Sequence, residues 1–199
     1  MRQRAVAHAR WHSHSNGVSP ARAIRRWLVD SGSLTVKLTA CCSLFRVRRL
    51  QQARSVCLAD EFGALRLARR TCVRQREVLL QCDGRAMVYA HTAMPLRATA
   101  ADWPSFGSLG ERSLGTTLFG DPRVRRGALQ FARLRAMHPL ARRARAALGE
   151  ELALPLLARR CLYRRGNGLL LVTEVFLPAL ADLDAPAQRP AANAGLLND

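Results

Sequence analysis

The stretch VRQREVLLQCDGRAMVYAHTAMPL, residues 73–96, sets the strongest limit on what this chain folds into. Two apolar runs flank Asp83-Gly84, a dipeptide suited to the two central positions of a tight hairpin turn. The segment therefore predicts an antiparallel hairpin. With 83 and 84 as the turn, Cys82 faces Arg85, Leu80 faces Met87, Val78 faces Tyr89 and Arg76 faces His91. Opposed residues project to the same side of a sheet, about 5 Å apart. Arg76 and His91 then form a cationic pair at the far end of an apolar ladder, unfavourable unless an anion joins them. Such a pairing expects an imidazole that resists protonation until an anionic ligand arrives.

A second hairpin closes the chain, LARRCLYRRGNGLLLVTEVFLP (157–178), turning at Gly166-Asn167-Gly168. Its second run is too short to span a bilayer and reads as a buried strand ended by Pro178. One carboxylate, Glu174, interrupts it. A charge there costs several kcal/mol unless something pairs with it. The hairpin brings Arg159 or Arg160 opposite, and the turn length leaves that choice open. Two readings of Glu174 follow: a structural ion pair with a cross-strand arginine, or a carboxylate kept for chemistry.

Outside the hairpins the signals are mainly helical. Ser19-Pro20 predicts a helix start, with Ile24, Trp27 and Leu28 on one face and Ser31-Gly32 ending it. Ser33 caps a second short helix from Leu34, and a strand follows from Leu44. Residues 51–72 read as irregular or briefly helical, and 98–112 as loop. Ser113 caps a helical turn over 113–120, a strand covers 128–135, and His138-Pro139 opens an Arg-rich helix running to about Leu152. The helix N-termini at Leu34 and Leu114 carry N–H groups without intrahelical acceptors, which favour anions. Helices that interrupt the strands rather than alternate with them predict a single α+β domain, an antiparallel sheet with helices on one face. Residues 1–18, basic and without acids, read as a mobile extension. The domain is expected over 19–181, and 182–199, poor in apolar anchors, as a disordered tail.

The chain has 199 residues, 49% of them hydrophobic, enough for a sizeable core. No apolar run reaches membrane-spanning length, and no hydrophobic segment of signal type follows the basic start. The formal charge is +18, and Lys37 is the only lysine. That charge raises nucleic-acid binding as a reading. The arginines are scattered rather than gathered in a stripe, and zinc-finger, zipper and RNA-binding strand motifs are absent. An anionic small-molecule partner fits as well. Cys41, Cys42, Cys57, Cys72, Cys82 and Cys161 form no CxxC and no metal-ligand spacing, so reduced thiols in a cytoplasm are expected, with no metal. His8, His12 and His14 make only a loose cluster.

The series WLVDSGSLT (27–35), REVLLQCDG (76–84), HTAMP (91–95), SLGTTLF (113–119), ARR (158–160) and LLLVTEVFLP (169–178) resembles chorismate lyases in order and spacing, over roughly residues 20–180. The resemblance implies an α+β domain with the ligand buried beneath helical flaps. It implies cofactor-free elimination of pyruvate from chorismate to leave 4-hydroxybenzoate, the first step of ubiquinone synthesis, by a cytoplasmic monomer without a nucleic-acid partner. Position by position, it implies that Arg76 holds the ring carboxylate with the backbone N–H groups of Leu34 and Leu114, and that Glu174 meets the ring hydroxyl as orienting group or base. At His91 some members carry arginine, and either this position or a flanking arginine such as Arg159 or Arg160 is expected to hold the second carboxylate. Two other readings are carried: a non-catalytic effector-binding domain of the same fold class, and a charge-driven nucleic-acid binder. Formation of 4-hydroxybenzoate separates the first, and salt-sensitive binding to arbitrary DNA would mark the second.

Overall fold

Both expected hairpins form, and they lie side by side. The computed structural model describes residues 8–183 except 99–100, 105 and 150–151. In chain order the elements are α1 (Arg22–Leu28), α2 (Leu34–Thr39), β1 (Phe45–Val56), β2 (Cys72–Cys82), β3 (Arg85–Pro95), α3 (Leu114–Gly120), β4 (Arg125–Leu134), α4 (Pro139–Leu148), β5 (Leu156–Arg165) and β6 (Gly168–Phe176). The strands make one six-stranded sheet in the order β1-β2-β3-β6-β5-β4. Every neighbouring pair is antiparallel. The β2–β3 turn is Asp83-Gly84, with φ of 49° and 81°, the left-handed geometry that Gly adopts freely and Asp tolerates. The Asp83 carboxylate also accepts from Leu44 N at 2.8 Å and ties this turn to the start of β1.

The register differs from the simple count. A bulge between Leu80 and Gln81 makes Met87 an extra residue, so that Leu80 pairs with Val88. Beyond it Arg76 faces Thr92, and His91 faces Glu77. A slip of one residue moves a side chain to the other face of a sheet. His91 therefore does not share a face with Arg76, and the expected cationic pair does not exist.

The helices also divide between the faces instead of covering one. On the first face α1 and α2 set Trp27, Leu28, Leu34 and Leu38 against Val47, Val78, Leu80, Ala90 and Phe176. The 98–112 loop and α3 extend that layer, with Trp103, Phe106, Leu109, Leu114 and Leu118 over Met94, Cys161, Tyr163 and Leu170. On the second face α4 packs Leu140, Ala141 and Ala144 against Leu79, Tyr89, Ala158 and Val175. The 57–71 segment places Cys57 and Leu65 on Ala93 and Leu171.

Other boundaries shift for local reasons. Ser19 is left-handed (φ 39°) and does not cap α1, whose N-cap is Ala21. Strand β1 continues to Val56, through residues expected to be irregular. Helix α4 stops at Leu148 because Gly149 turns left-handed and donates to Arg145 O. Residues 8–18, expected to be a loose extension, are joined to the sheet. His12 exchanges two backbone hydrogen bonds with Phe131, both 2.8 Å. Trp11 donates to Asp60 at 2.8 Å and lies under the Arg160 guanidinium, 4.2 Å from its carbon to the ring centre. Of the tail expected over 182–199, Asp182 instead ends a short helical turn and pairs with Arg85, and Leu183 O accepts from Arg26; residues 1–7 and 184–199 lie outside the described residues.

His91 is wholly buried on the second face. Its Nδ1 is 3.2 Å from Glu77 Oε1, and its Nε2 is 3.0 Å from Glu61 Oε1, close for an ion pair though out of line for a hydrogen bond. With both ring nitrogens against carboxylates, the ring is an imidazolium. Burial alone would lower its pKa, but Glu61 and Glu77 raise it to about 9. The expected resistance to protonation is thus reversed. Arg143 adds a second cation on Glu77, at 2.5 Å.

The folded chain holds the His91 proton more tightly than the unfolded chain, so its stabilisation is complete below the ordinary histidine pKa of 6.5 and is lost as pH rises through about 9. Urea unfolding of the wild type across that window should show a loss on the order of 1–3 kcal/mol, absent in His91→Gln. Matching slopes in the two proteins would contradict the imidazolium assignment.

Candidate active site

The first face of the sheet encloses a cavity of about 50 Å³ between the strands and the two short helices α2 and α3. Arg76, Val78 and Leu80 of β2, Ala90 and Thr92 of β3, Val172 and Glu174 of β6 and Tyr163 of β5 form its floor. Leu34 and Thr35 form one side of its roof, and Ser113, Leu114, Gly115, Leu118 and Phe119 the other. Strand alternation explains the floor. Arg76 pairs with Thr92 and Thr92 with Val172; one step along, Val78 pairs with Ala90 and Ala90 with Glu174. Arg76 and Glu174 therefore start two strands and two residues apart, roughly 10 Å across and roughly 7 Å along the sheet. Side chains leaning inward from those points leave the span of one six-membered ring with substituents at opposite ends.

Arg76 is 2% exposed and has no carboxylate partner among the described residues. Its Nη2 donates to Gly110 O at 3.0 Å and Arg112 O at 2.8 Å, fixing the chain just ahead of α3. Its Nε has no acceptor among the described residues. Burial, and then the charge of Arg49, lower its pKa. A buried guanidinium without a counter-charge is costly, and an anion in the cavity would relieve that cost.

Glu174 faces Arg159, which resolves the choice left open by the turn: Gly166 and Asn167 form it, and Gly168 already pairs with Arg165. Arg159 Nε donates to Glu174 Oε2 at 2.5 Å. Its Nη1 donates to Asp30 O at 2.6 Å and Trp27 O at 2.9 Å, gathering the end of α1. The arginine is 2% exposed, while the Glu174 side chain keeps 20% of its surface open. Glu174 thus has both a cross-strand ion pair and a cavity-facing position.

The roof is built from two capped helix starts. Ser33 accepts from Val36 N, and Ser113 from Gly115 N. Thr35 Oγ1 and Ser113 Oγ are 2.6 Å apart and join the two helices directly. Gly115 permits this approach, since a Cβ there would lie 2.9 Å from Thr35 Oγ1 and 3.1 Å from Ser33 Oγ. By position the first-turn N–H groups of Leu34 and Leu114 have no intrahelical acceptor. A cavity of about 50 Å³ is well below the roughly 150 Å³ that holds a benzene ring.

Of the residues singled out from the sequence, Arg76, Glu174, Leu34 and Leu114 meet at this cavity. His91 does not; it lies beneath the sheet with Glu61 and Glu77. Tyr163, Thr92 and Val172 were missed, although counting alternate residues from Glu174 through the paired strands reaches all three. Thr35 had no sequence signal. No group of three His, Cys, Asp or Glu with metal-holding geometry occurs among the described residues.

A family model described as chorismate lyase matches residues 5–183. The chain belongs to the chorismate lyase family. A protein of Cupriavidus metallidurans named probable chorismate pyruvate-lyase is 49% identical over 182 residues, covering 89% of this chain and 84% of its own length. One of the same name from Ralstonia nicotianae is 51% identical over 166 residues, covering 81% and 84%. Among solved structures, PhnF of Mycobacterium smegmatis has a TM-score of 0.54 at 16% identity, covering 82% of this chain and 70% of that one. That likeness is one of fold.

Within this chorismate lyase fold, Arg159→Met would leave Glu174 unpaired and two carbonyls at the end of α1 without their donor. Urea unfolding should register a loss of about 3–5 kcal/mol. A loss under about 1 kcal/mol would place the pair with exposed salt bridges instead.

Proposed function

We propose that this chain eliminates pyruvate from chorismate and releases 4-hydroxybenzoate, the ring precursor at the start of ubiquinone synthesis. The observation that carries the reading is Arg76, buried at the cavity with no carboxylate of its own among the described residues. The family match supplies the substrate.

In this reading Arg76 and the N–H groups of Leu34 and Leu114 receive the ring carboxylate through charge-assisted hydrogen bonds. Glu174, held by Arg159, addresses the hydroxyl at the opposite end of the ring. The reaction removes the proton from the carbon bearing that hydroxyl and breaks the neighbouring carbon–oxygen bond. The electron pair closes the aromatic ring, and enolpyruvate departs, taking up a proton to become pyruvate. Atoms and electrons balance without an oxidant. Aromatisation drives the step, so the protein mainly has to orient the ring and stabilise charge on the leaving group. Glu174 is positioned to orient the hydroxyl and to take the proton directly or through water. A cavity walled by one chain supports a working monomer, which sedimentation would check. The six cysteines, none of them in a disulfide, suit a reducing cytoplasm.

Incubation with chorismate should produce 4-hydroxybenzoate absorbance and pyruvate in equal amounts. Arg76→Ala should weaken substrate and product alike, by about 2–5 kcal/mol, and Arg76→Lys should recover only part because an ammonium lacks the planar fork. A folded Arg76→Ala that keeps wild-type affinity for 4-hydroxybenzoate would remove Arg76 as the clamp.

Glu174→Gln separates chemistry from structure. Gln keeps the shape and a hydrogen bond but accepts no proton, so turnover should fall about 10²–10⁴-fold while product affinity changes far less. A variant that melts earlier yet turns over at the wild-type rate would leave Glu174 a structural partner of Arg159 alone.

A further inference from the structure

Chorismate carries a second carboxylate, on the enolpyruvyl ether, and no residue discussed so far receives it. His91 is excluded by its place beneath the sheet, with both ring nitrogens already against carboxylates. Arg49, whose charge acts on Arg76, lies on β1 opposite Val78, three strands away from Glu174 on β6. The ether and the hydroxyl sit on neighbouring ring carbons, so the second carboxylate must lie near Glu174.

Among the described residues, two guanidinium groups stand near Glu174 at that end. Arg159 is already engaged, with Nε on Glu174 and Nη1 on the carbonyls of Trp27 and Asp30. Arg126 is the other. It lies on β4 directly opposite Tyr163, a cavity residue, and so projects on the cavity side of the sheet. Its guanidinium carbon stands 5.5 Å from the ring centre of Phe119, another cavity residue. Through Nη1 it donates to Ser31 O, in the link between α1 and α2. Its Nε is buried without an acceptor among the described residues, and no carboxylate pairs with it there. Burial opposes its charge, but Tyr163, Cys161 and Glu174 outweigh burial and raise its pKa. Arg126 is therefore a charged, underused donor at the hydroxyl end of the cavity.

We propose that Arg126 receives the enolpyruvyl carboxylate of chorismate. This inference rests on the chorismate lyase reading of the same cavity. Arg76 and Arg126 then hold the two carboxylates from opposite ends, and Glu174 stands at the carbon that loses its proton. As the carbon–oxygen bond breaks, negative charge builds on the departing enolpyruvate, next to the Arg126 guanidinium. The product, 4-hydroxybenzoate, keeps the Arg76 carboxylate and loses the Arg126 one. Arg126 therefore distinguishes substrate from product, which Arg76 cannot do.

The test compares Arg126→Met and Arg126→Gln with the wild type, measuring kcat/KM for chorismate and the Kd of 4-hydroxybenzoate on the full chain. Loss of one charged hydrogen bond should lower kcat/KM by about 10- to 100-fold while the product Kd stays within about twofold. Gln keeps a donor for the Ser31 carbonyl, so it should show the same split even if Met impairs folding. Equal weakening of substrate and product would reduce Arg126 to a structural support, and an unchanged kcat/KM in a folded variant would remove it from the site. Wild-type turnover in the same assay stands apart: its absence would overturn the lyase reading, and this inference with it.

Discussion

A sheet covered on both faces has to keep count. Its side chains alternate, and here each face does a different job, so the placement of every residue on β2, β3, β5 and β6 depends on register. The single extra residue at Met87 sets it. On one side of the bulge the hairpin pairs as the Asp83-Gly84 turn dictates; on the other, every partner has slipped by one. The slip sends Glu77 and His91 down into a buried charge cluster and leaves Arg76 facing Thr92 at the cavity. Had the hairpin closed without it, a histidine would share the cavity floor with Arg76.

The arginines are more architectural than the net charge suggests. Arg159, Arg160 and Arg165 are buried, and each donates to backbone carbonyls of a distant segment. Arg133 does the same for Val18 and Ser19, and Arg76 for Gly110 and Arg112. Those carbonyls belong to loops and helix ends that have no ladder of their own, and a carbonyl left without a partner on burial is costly. A guanidinium offers five donors in a fixed fork and serves several carbonyls at once, which a lysine cannot. Part of the positive charge works inside the fold, and sequence alone cannot separate those arginines from ones that wait for a ligand.

Features governed by near neighbours were legible. The turn at Asp83-Gly84, the caps at Ser33, Ser113 and His138, and the strand character of the run around Glu174 all follow from a few adjacent residues. The meeting of Arg76, Glu174, Leu34 and Leu114 came from the family resemblance and the hairpin alternation together. What was not legible depends on distant contacts. Ser19 reads as a cap, but Arg133 takes its carbonyl and the helix starts later. Residues 8–18 look loose until Asp60, Phe131 and Arg160 are brought beside them. The bulge at Met87 has no glycine or proline to announce it, and α4 covers the second face because that face, too, is apolar along Leu79, Tyr89 and Val175.

The cluster around His91 bears on the conditions under which the fold holds together. Glu61 and Glu77 require a cation between them, and an imidazole already protonated at neutral pH meets that requirement as an arginine would. An arginine would carry the same charge at any pH, but it would have to seat a longer side chain where the imidazole is wholly buried. The position itself lies beneath the sheet, away from the cavity of Arg76 and Glu174. With histidine in place, the charge that joins Glu61 and Glu77 fades as the surroundings turn alkaline, so the cluster sets a limit on the range of acidity the fold tolerates.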